Sequence, residues 1–344
     1  MVFAFAGELF AIGNMILSGL SNVLLKAQKG KLKPGVMLFL QTVISGVLFV
    51  ILTAAMGDFM LMFTIGWRAF LPLFFAAVLG IIIGNAMYFT SLELIGLSKA
   101  YPIAMTYPLF TYIFEIAFLD GVFKFSKLSG IVLVIIGVIL ISSSKVNENN
   151  DSKEEEIVES SDKENEKPSE EKEVLETTNV EVISEKTGYL KTNSGKVFLG
   201  VLLAALTTLT WSGGTTLIKV GLDVLKDTGN DVGIIPINGA RMFCLIPITL
   251  IIFTVTNRGD NKSKFSWKPF ILVSIAAVLG LFVSNILYLY ALDLIGTSTP
   301  AAIAASGPII ATPLSILFLK EKVDWKIITG TLLTVGGILL VLLL

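Results

Sequence analysis

The chain has no histidine and one cysteine, Cys244, and only 15% of its 344 residues are charged. Each scarcity removes a class of chemistry. Without histidine, Ser-His-Asp triads and His-containing zinc motifs cannot be built. A single cysteine excludes an intrachain disulfide. With 26 basic and 27 acidic residues, the formal net charge of −1 gives no basic surface for nucleic acid. No Gly-x-x-x-x-Gly-Lys-Ser/Thr sequence occurs, which disfavours ATP-driven work. No clustered acid, nucleophile and metal-ligand set stands out, so neither an enzyme nor a bound cofactor or metal is implied.

What the chain has is apolar length. Hydrophobic residues make up 54% of it, and the mean hydropathy is +0.80. A soluble domain carries about 45–50% apolar and about 25% charged residues. A membrane-spanning helix needs about 20 mostly apolar residues to cross about 30 Å of hydrocarbon. Stretches that qualify lie at roughly 4–26, 35–57, 69–92, 100–119 and 127–145, then at roughly 196–219, 235–256, 269–292, 300–319 and 326–344. Met1 to Leu25 lacks a basic start and leads into a full span, so it is read as a helix and not as a cleavable signal. Residues 146–195 differ: Asp and Glu are dense from Glu148 to Glu185, and no aromatic appears before Tyr189. Such a segment buries too little apolar surface to offset its chain entropy, and a disordered linker is expected.

The two apolar halves, 1–145 and 196–344, repeat each other. The run Ala76-Ala-Val-Leu-Gly80 recurs unchanged as Ala276-Ala-Val-Leu-Gly280. At the same offset Asn85 meets Asn285, Tyr88 meets Tyr288, Leu94-Ile-Gly96 meets Leu294-Ile-Gly296, Pro108 meets Pro308, Gly130 meets Gly330 and Gly137 meets Gly337. Five helices per copy is an odd number, so the second copy enters the membrane inverted. The expected fold is an all-α, multi-pass protein of the cell membrane, with ten transmembrane helices in two inverted five-helix repeats. Lys and Arg at the expected loops are richer on the linker side, and the positive-inside rule then places the linker in the cytoplasm and both termini outside.

These features resemble the drug/metabolite transporter superfamily in its EamA-like branch. The resemblance rests on the doubled five-helix unit, on Pro308, on Phe318-Leu-Lys-Glu321, and on Gly330 and Gly337 in the last helix. Glu321 matches the glutamate of that branch's "Leu-Gly-Glu" turn, Lys320 replaces its glycine, and Leu119-Asp-Gly121 departs from it in the first half. The linker takes no part. Gly214-Thr-Thr-Leu-Ile-Lys219 and Val23-Leu-Leu-Lys26 also look like the end of the first helix of the small multidrug resistance proteins. The essential glutamate of those proteins is replaced here by Trp211 and Ser18, so the carboxylate of their exchange mechanism is missing at both places. The resemblance implies cytoplasmic termini, against the charge count. It also implies a secondary transporter of small organic metabolites, amino acids or related compounds first, with export the more usual direction. A facilitative sugar or metabolite importer and a lipid flippase remain as alternatives. The expected partners are the solute and the bilayer, with monomer and homodimer both open.

Intramembrane polar groups are the natural candidates for function, because an ion at mid-helix costs about 2.5–3.5 kcal/mol on insertion scales. Asn85 with Tyr88, and Asn285 with Tyr288, place an amide and a phenol on one helix face in each copy. They either line a central cavity or hold helices together. Arg241, with Asn238 one turn earlier and Gln41 in its place in the first copy, either holds a substrate carboxylate or phosphate or snorkels to the interface. Trp211 and Tyr101 are candidate pocket aromatics. Glu115 and Glu8 are candidate carboxylates for proton coupling. Pro108 and Pro308, read as interior prolines, are candidate gate hinges.

Overall fold

The structure, a computed structural model, describes residues 5–26, 28, 32–95, 100, 103–142, 193–229, 232–257, 267–307, 309–310 and 325–343. Tyr101, Pro308, Glu321 and most of the acidic segment lie outside these residues. All regular structure among the described residues is helical. The first repeat contributes α1 (Ala6–Lys26), α2 (Pro34–Ala55), α3 (Trp67–Ala77, continued by Val78–Gly84 and Asn85–Ile95), α4 (Tyr107–Phe118) and α5 (Phe125–Ser142). The second contributes α6 (Asn193–Asp227), α7 (Ile234–Thr256), α8 (Trp267–Ala276, continued by Ala277–Val283 and Ser284–Ile295), α9 (Ser298–Ala305) and α10 (Trp325–Leu343). Helices α1, α2, α3, α6, α7 and α8 contain spans long and apolar enough to cross a membrane, and α4, α5 and α10 are shorter apolar helices.

Several boundaries differ from the sequence expectation. Helix α6 begins at Asn193 and runs to Asp227, beyond both expected ends. The stretch expected as one helix over 100–119 is broken by a turn at Met105–Thr106 and restarts at Tyr107. Pro108 therefore sits in the first turn of α4, where its missing N–H costs nothing, and not inside a kinked helix. Among the described residues, Pro72 and Pro247 lie inside helices, in α3 and α7.

The repeated run over 76–80 and 276–280 opens a wider π-helical segment in each copy, Val78–Gly84 and Ala277–Val283. Such segments disturb the regular backbone ladder, and neighbouring hydroxyls re-satisfy freed carbonyls. In the second copy Ser21 donates to the Ala276 carbonyl at 2.8 Å and Ser45 to the Ala277 carbonyl at 3.4 Å.

The copies interleave. The first helix of each packs along the third helix of the other: α1 lies against α8, and α6 against α3. Gly7 abuts Leu294 and Ile295, while Gly200 abuts Leu94 and Ile95, so small residues let each pair of backbones approach. Helix α2 packs on α7, and α5 on α10. In α2 and α7, Gly35 faces Thr256, Phe39 stacks on Phe253 at 4.9 Å, and Gly46 faces Ile246, so these two helices run antiparallel.

Candidate functional site

At the level of the π-helical segments the two copies bring their aromatic side chains together. A Cβ on Gly84 would lie 2.6 Å from the Trp211 ring, so the glycine makes room for the indole between α3 and α6. One helical turn further along α3, Tyr88 places its ring 5.3 Å from that of Trp211. Tyr107, at the restart of α4, meets the same indole edge-on at 5.8 Å. Offset and edge-to-face rings are the arrangements favoured by the aromatic quadrupole.

The polar edges of this cluster reach the second copy. The Tyr107 hydroxyl donates to the Ala301 carbonyl of α9 at 3.0 Å. Ser212, next to Trp211 in α6, donates to the Tyr107 carbonyl at 2.8 Å. The hydroxyls of Tyr288 and Thr215 share a hydrogen bond of 3.1 Å between α8 and α6. Tyr88, Tyr107, Trp211 and Tyr288 thus occupy one neighbourhood built from α3, α4, α6 and α8.

The paired asparagines do not hold helices together through their side chains. Asn85 makes no side-chain hydrogen bond among the described residues, and Asn285 keeps a buried Oδ1 without a partner. A buried amide left unpaired costs about 1–3 kcal/mol. Asn14 is the residue that ties α1 to α8 here: its amide donates to the Ser284 hydroxyl at 2.7 Å and to the Ser284 carbonyl at 3.1 Å. Asn14 was not singled out from the sequence. Its spacing of seven from Gly7 and Ser21 was the available signal, since residues seven apart recur on one helix face.

Arg241 is buried, with 2% of its surface exposed, and does not snorkel. Its Nε donates to the Leu73 carbonyl of α3 at 3.1 Å and its Nη1 to Asn238 Oδ1 at 3.1 Å. No ion pair reaches it among the described residues. Gln41, at the matching place in α2, is also buried. Above this region, the starts of α3 and the end of α6 enclose a cleft of about 470 Å³, with Trp67, Arg68, Ala69, Val224 and Thr228 in its walls.

Glu115 serves as a clasp. One carboxylate oxygen accepts from the Thr297 backbone at 3.1 Å, the Thr297 hydroxyl at 2.6 Å and the Ser298 backbone at 2.6 Å. The other meets Lys127 Nζ at 3.0 Å. A carboxylate at the N-terminus of α9 also complements the helix dipole. Both oxygens of this candidate coupling carboxylate are engaged, across α4, α5 and the α8–α9 turn. Glu8 is the contrasting case, half-buried in α1 with Oε2 buried and unpartnered. Asp293 lies 2.6 Å from Lys226, pinning the end of α8 to the end of α6.

The comparisons with known proteins agree with this architecture. The sequence model of the EamA-like transporter family matches residues 5–143 and 198–343, which are the two helical copies without the linker. A solved structure described only as the crystal structure of a protein superposes with a TM-score of 0.67 at 13% identity, covering 98% of this chain and 99% of that one. At that identity the likeness bears on fold alone. No curated protein matches the chain.

Proposed function

The chain belongs to the EamA-like transporter family, a branch of the drug/metabolite transporters, and from that premise we propose that it exports small organic metabolites, amino acids or related compounds first, through a site between its two repeats. Membership makes it a multi-pass membrane transporter. The substrate, the direction and the coupling are the proposal. The supporting observation is the meeting of Tyr88, Tyr107, Trp211 and Tyr288 at the seam, with Asn85 and Asn285 one helical turn before Tyr88 and Tyr288 and the Asn285 Oδ1 unpartnered among the described residues. An apolar-walled site with a few convergent polar groups is the general form of a small-molecule pocket.

In this reading the ten helices span the bilayer as two inverted repeats, and the antiparallel α2–α7 and α5–α10 pairs support that topology. Interleaving changes what alternating access has to mean. With α1 seated on α8 and α6 on α3, the repeats cannot rock apart as separate blocks. Opening is instead carried by bending at the π-helical segments of α3 and α8 and at the break before Tyr107. Pro108 takes part as the residue that starts the helix after that break. Glu8, with its unpartnered oxygen, is the carboxylate proposed to carry a coupling proton.

The test is flux in liposomes holding the purified protein. Efflux of a labelled amino acid that rises with an imposed pH gradient supports the reading. Equal flux without a gradient supports a facilitator, and movement of headgroup-labelled lipid alone supports a flippase. Absence of all three sinks the transport role.

A further inference from the structure

Arg241 places a permanent charge where no opposite charge pairs with it among the described residues. The guanidinium and Asn238 are 2% and 0% exposed. Lys127–Glu115, Lys219–Asp223 and Lys226–Asp293 pair among the described residues, and none of these pairs involves Arg241. Its two hydrogen bonds go to neutral oxygens, those of Leu73 and Asn238, which leaves most of its five N–H donors uncommitted. Asn238 in turn has a buried Nδ2 with no acceptor. The uncommitted guanidinium N–H donors and the Asn238 Nδ2 thus lie side by side with no further acceptor among the described residues. A lone buried charge is costly unless it is paired.

The surroundings say what completes it. The neighbouring side chains Leu73, Ile237, Met242 and Leu245 are apolar and fully buried. A guanidinium in such walls is matched by a planar or tetrahedral oxyanion, which accepts two N–H bonds at once. A cleft lies one helical turn from Arg241's partner Leu73, on the far side of the buried Ala69. Leu73, whose carbonyl holds the guanidinium, lies one turn beyond Ala69 in the wall of the cleft, and Arg68 stands at that same mouth. Cations close together raise the local concentration of anions. The matching place in the first repeat is Gln41, so only one of the two related positions carries charge.

Resting on the transporter reading above, we infer that Arg241 and Asn238 form an oxyanion-binding subsite, and that the transported solute carries a carboxylate or a phosphate, one per protein. Tyr288 packs on the same apolar cluster as Leu73 and Ile237, which joins this subsite to the aromatic site.

The experiment is titration of the purified full chain by calorimetry and thermal shift, using compounds paired with counterparts lacking the anion. The pairs are leucine and leucinamide, phenylalanine and phenylalaninamide, glucose 6-phosphate and glucose, and glycerol 3-phosphate and glycerol. At least one anionic member is expected to bind ten-fold or more tightly than its counterpart, with a stoichiometry of one. Which pairs respond separates carboxylate from phosphate. Arg241→Gln, the residue the first repeat itself carries at that place, is expected to erase the preference, and Arg241→Lys to keep part of it. Asn238→Leu is expected to weaken anion binding several-fold and serves if the arginine variants do not fold. Equal binding within every pair, a preference that survives Arg241→Gln, or binding by none of the eight overturns the inference. The flux assay decides the transport reading separately.

Discussion

Gly130 and Gly337 touch backbone to backbone across the crossing of α5 and α10. A Cβ on Gly130 would lie 2.8 Å from the Gly337 carbonyl oxygen, and one on Gly337 would lie 2.6 Å from that of Gly130. Gly137 and Gly330 make the same reciprocal contact. By repeat, however, Gly130 corresponds to Gly330 and Gly137 to Gly337. The contacts are crossed relative to the correspondence, which is what two copies related by a two-fold axis produce when their last helices run in opposite directions. Repeats pointing the same way would set Gly130 beside Gly330.

That crossing is open to direct test. In a Cys244→Ser background, the pair Gly130→Cys with Gly337→Cys is expected to cross-link under mild oxidation, and so is Gly137→Cys with Gly330→Cys. The pair Gly130→Cys with Gly330→Cys is expected not to, because the two positions lie at different depths along the crossing. A gel-shift assay after oxidation reads all three. Replacing Gly137 by Leu drives a side chain into the Gly330 backbone and is expected to cost about 1–3 kcal/mol, as overpacking generally does.

Glu115 is expected to behave as a structural group. Its carboxylate joins α4 to the start of α9 and to Lys127, with both side chains of the ion pair mostly buried at 15% and 14% exposure. Loss of a helix-capping acceptor generally costs about 0.5–2 kcal/mol. Glu115→Ala is expected to lower the melting temperature in detergent, and the double variant with Lys127→Met to be less than additive, since the two side chains share one interaction. An unchanged melting temperature for Glu115→Ala, with loss of gradient-driven flux, would restore the expected role in proton coupling.

Much of the architecture was legible because the hydropathy and the repeat carry it. The ten apolar stretches and the match from Ala76 to Gly137 need only composition and alignment. The helix pairing was not legible, since the correspondence changes register before it. Lys26 corresponds to Lys219 at a shorter offset than Gly80 to Gly280, because the connections after the first helices differ in length. Gly7 and Gly200 therefore do not line up in the main repeat. Tyr107, an aromatic between prolines, reads in the sequence as an interfacial anchor, and the break at Met105–Thr106 puts it instead at the restart of α4 against Trp211. Glu115 read as a lone carboxylate because Thr297 and Ser298 are far away along the chain.

Trp211 supplies an internal reporter. The other tryptophans, Trp67, Trp267 and Trp325, are 69%, 69% and 63% exposed at helix starts, while Trp211 is half-buried between Tyr88 and Tyr107. Binding of a solute at the seam is expected to change the blue side of the emission spectrum, and Trp211→Phe to abolish that change while preserving the fold. A ligand-induced change that persists in Trp211→Phe would move the site away from the aromatic cluster.

Glu8 and Glu115 divide the expected carboxylate roles, and the division predicts a contrast in one assay. Glu8 has a buried oxygen with no donor among the described residues, so no hydrogen bond there has to break for that oxygen to change partner. Glu115 has three donors on one oxygen and a lysine on the other, so a proton arriving there must first displace them. Glu8→Gln keeps the size of the side chain and removes the ionisable group. It is expected to leave folding and solute exchange intact and to remove the acceleration of flux by a pH gradient, with roughly ten-fold loss of the gradient-dependent rate. Counterflow, which exchanges labelled for unlabelled solute without a gradient, separates binding and access from coupling. If Glu8→Gln retains the full response to the gradient, no proton moves through Glu8, and coupling must lie elsewhere or be absent.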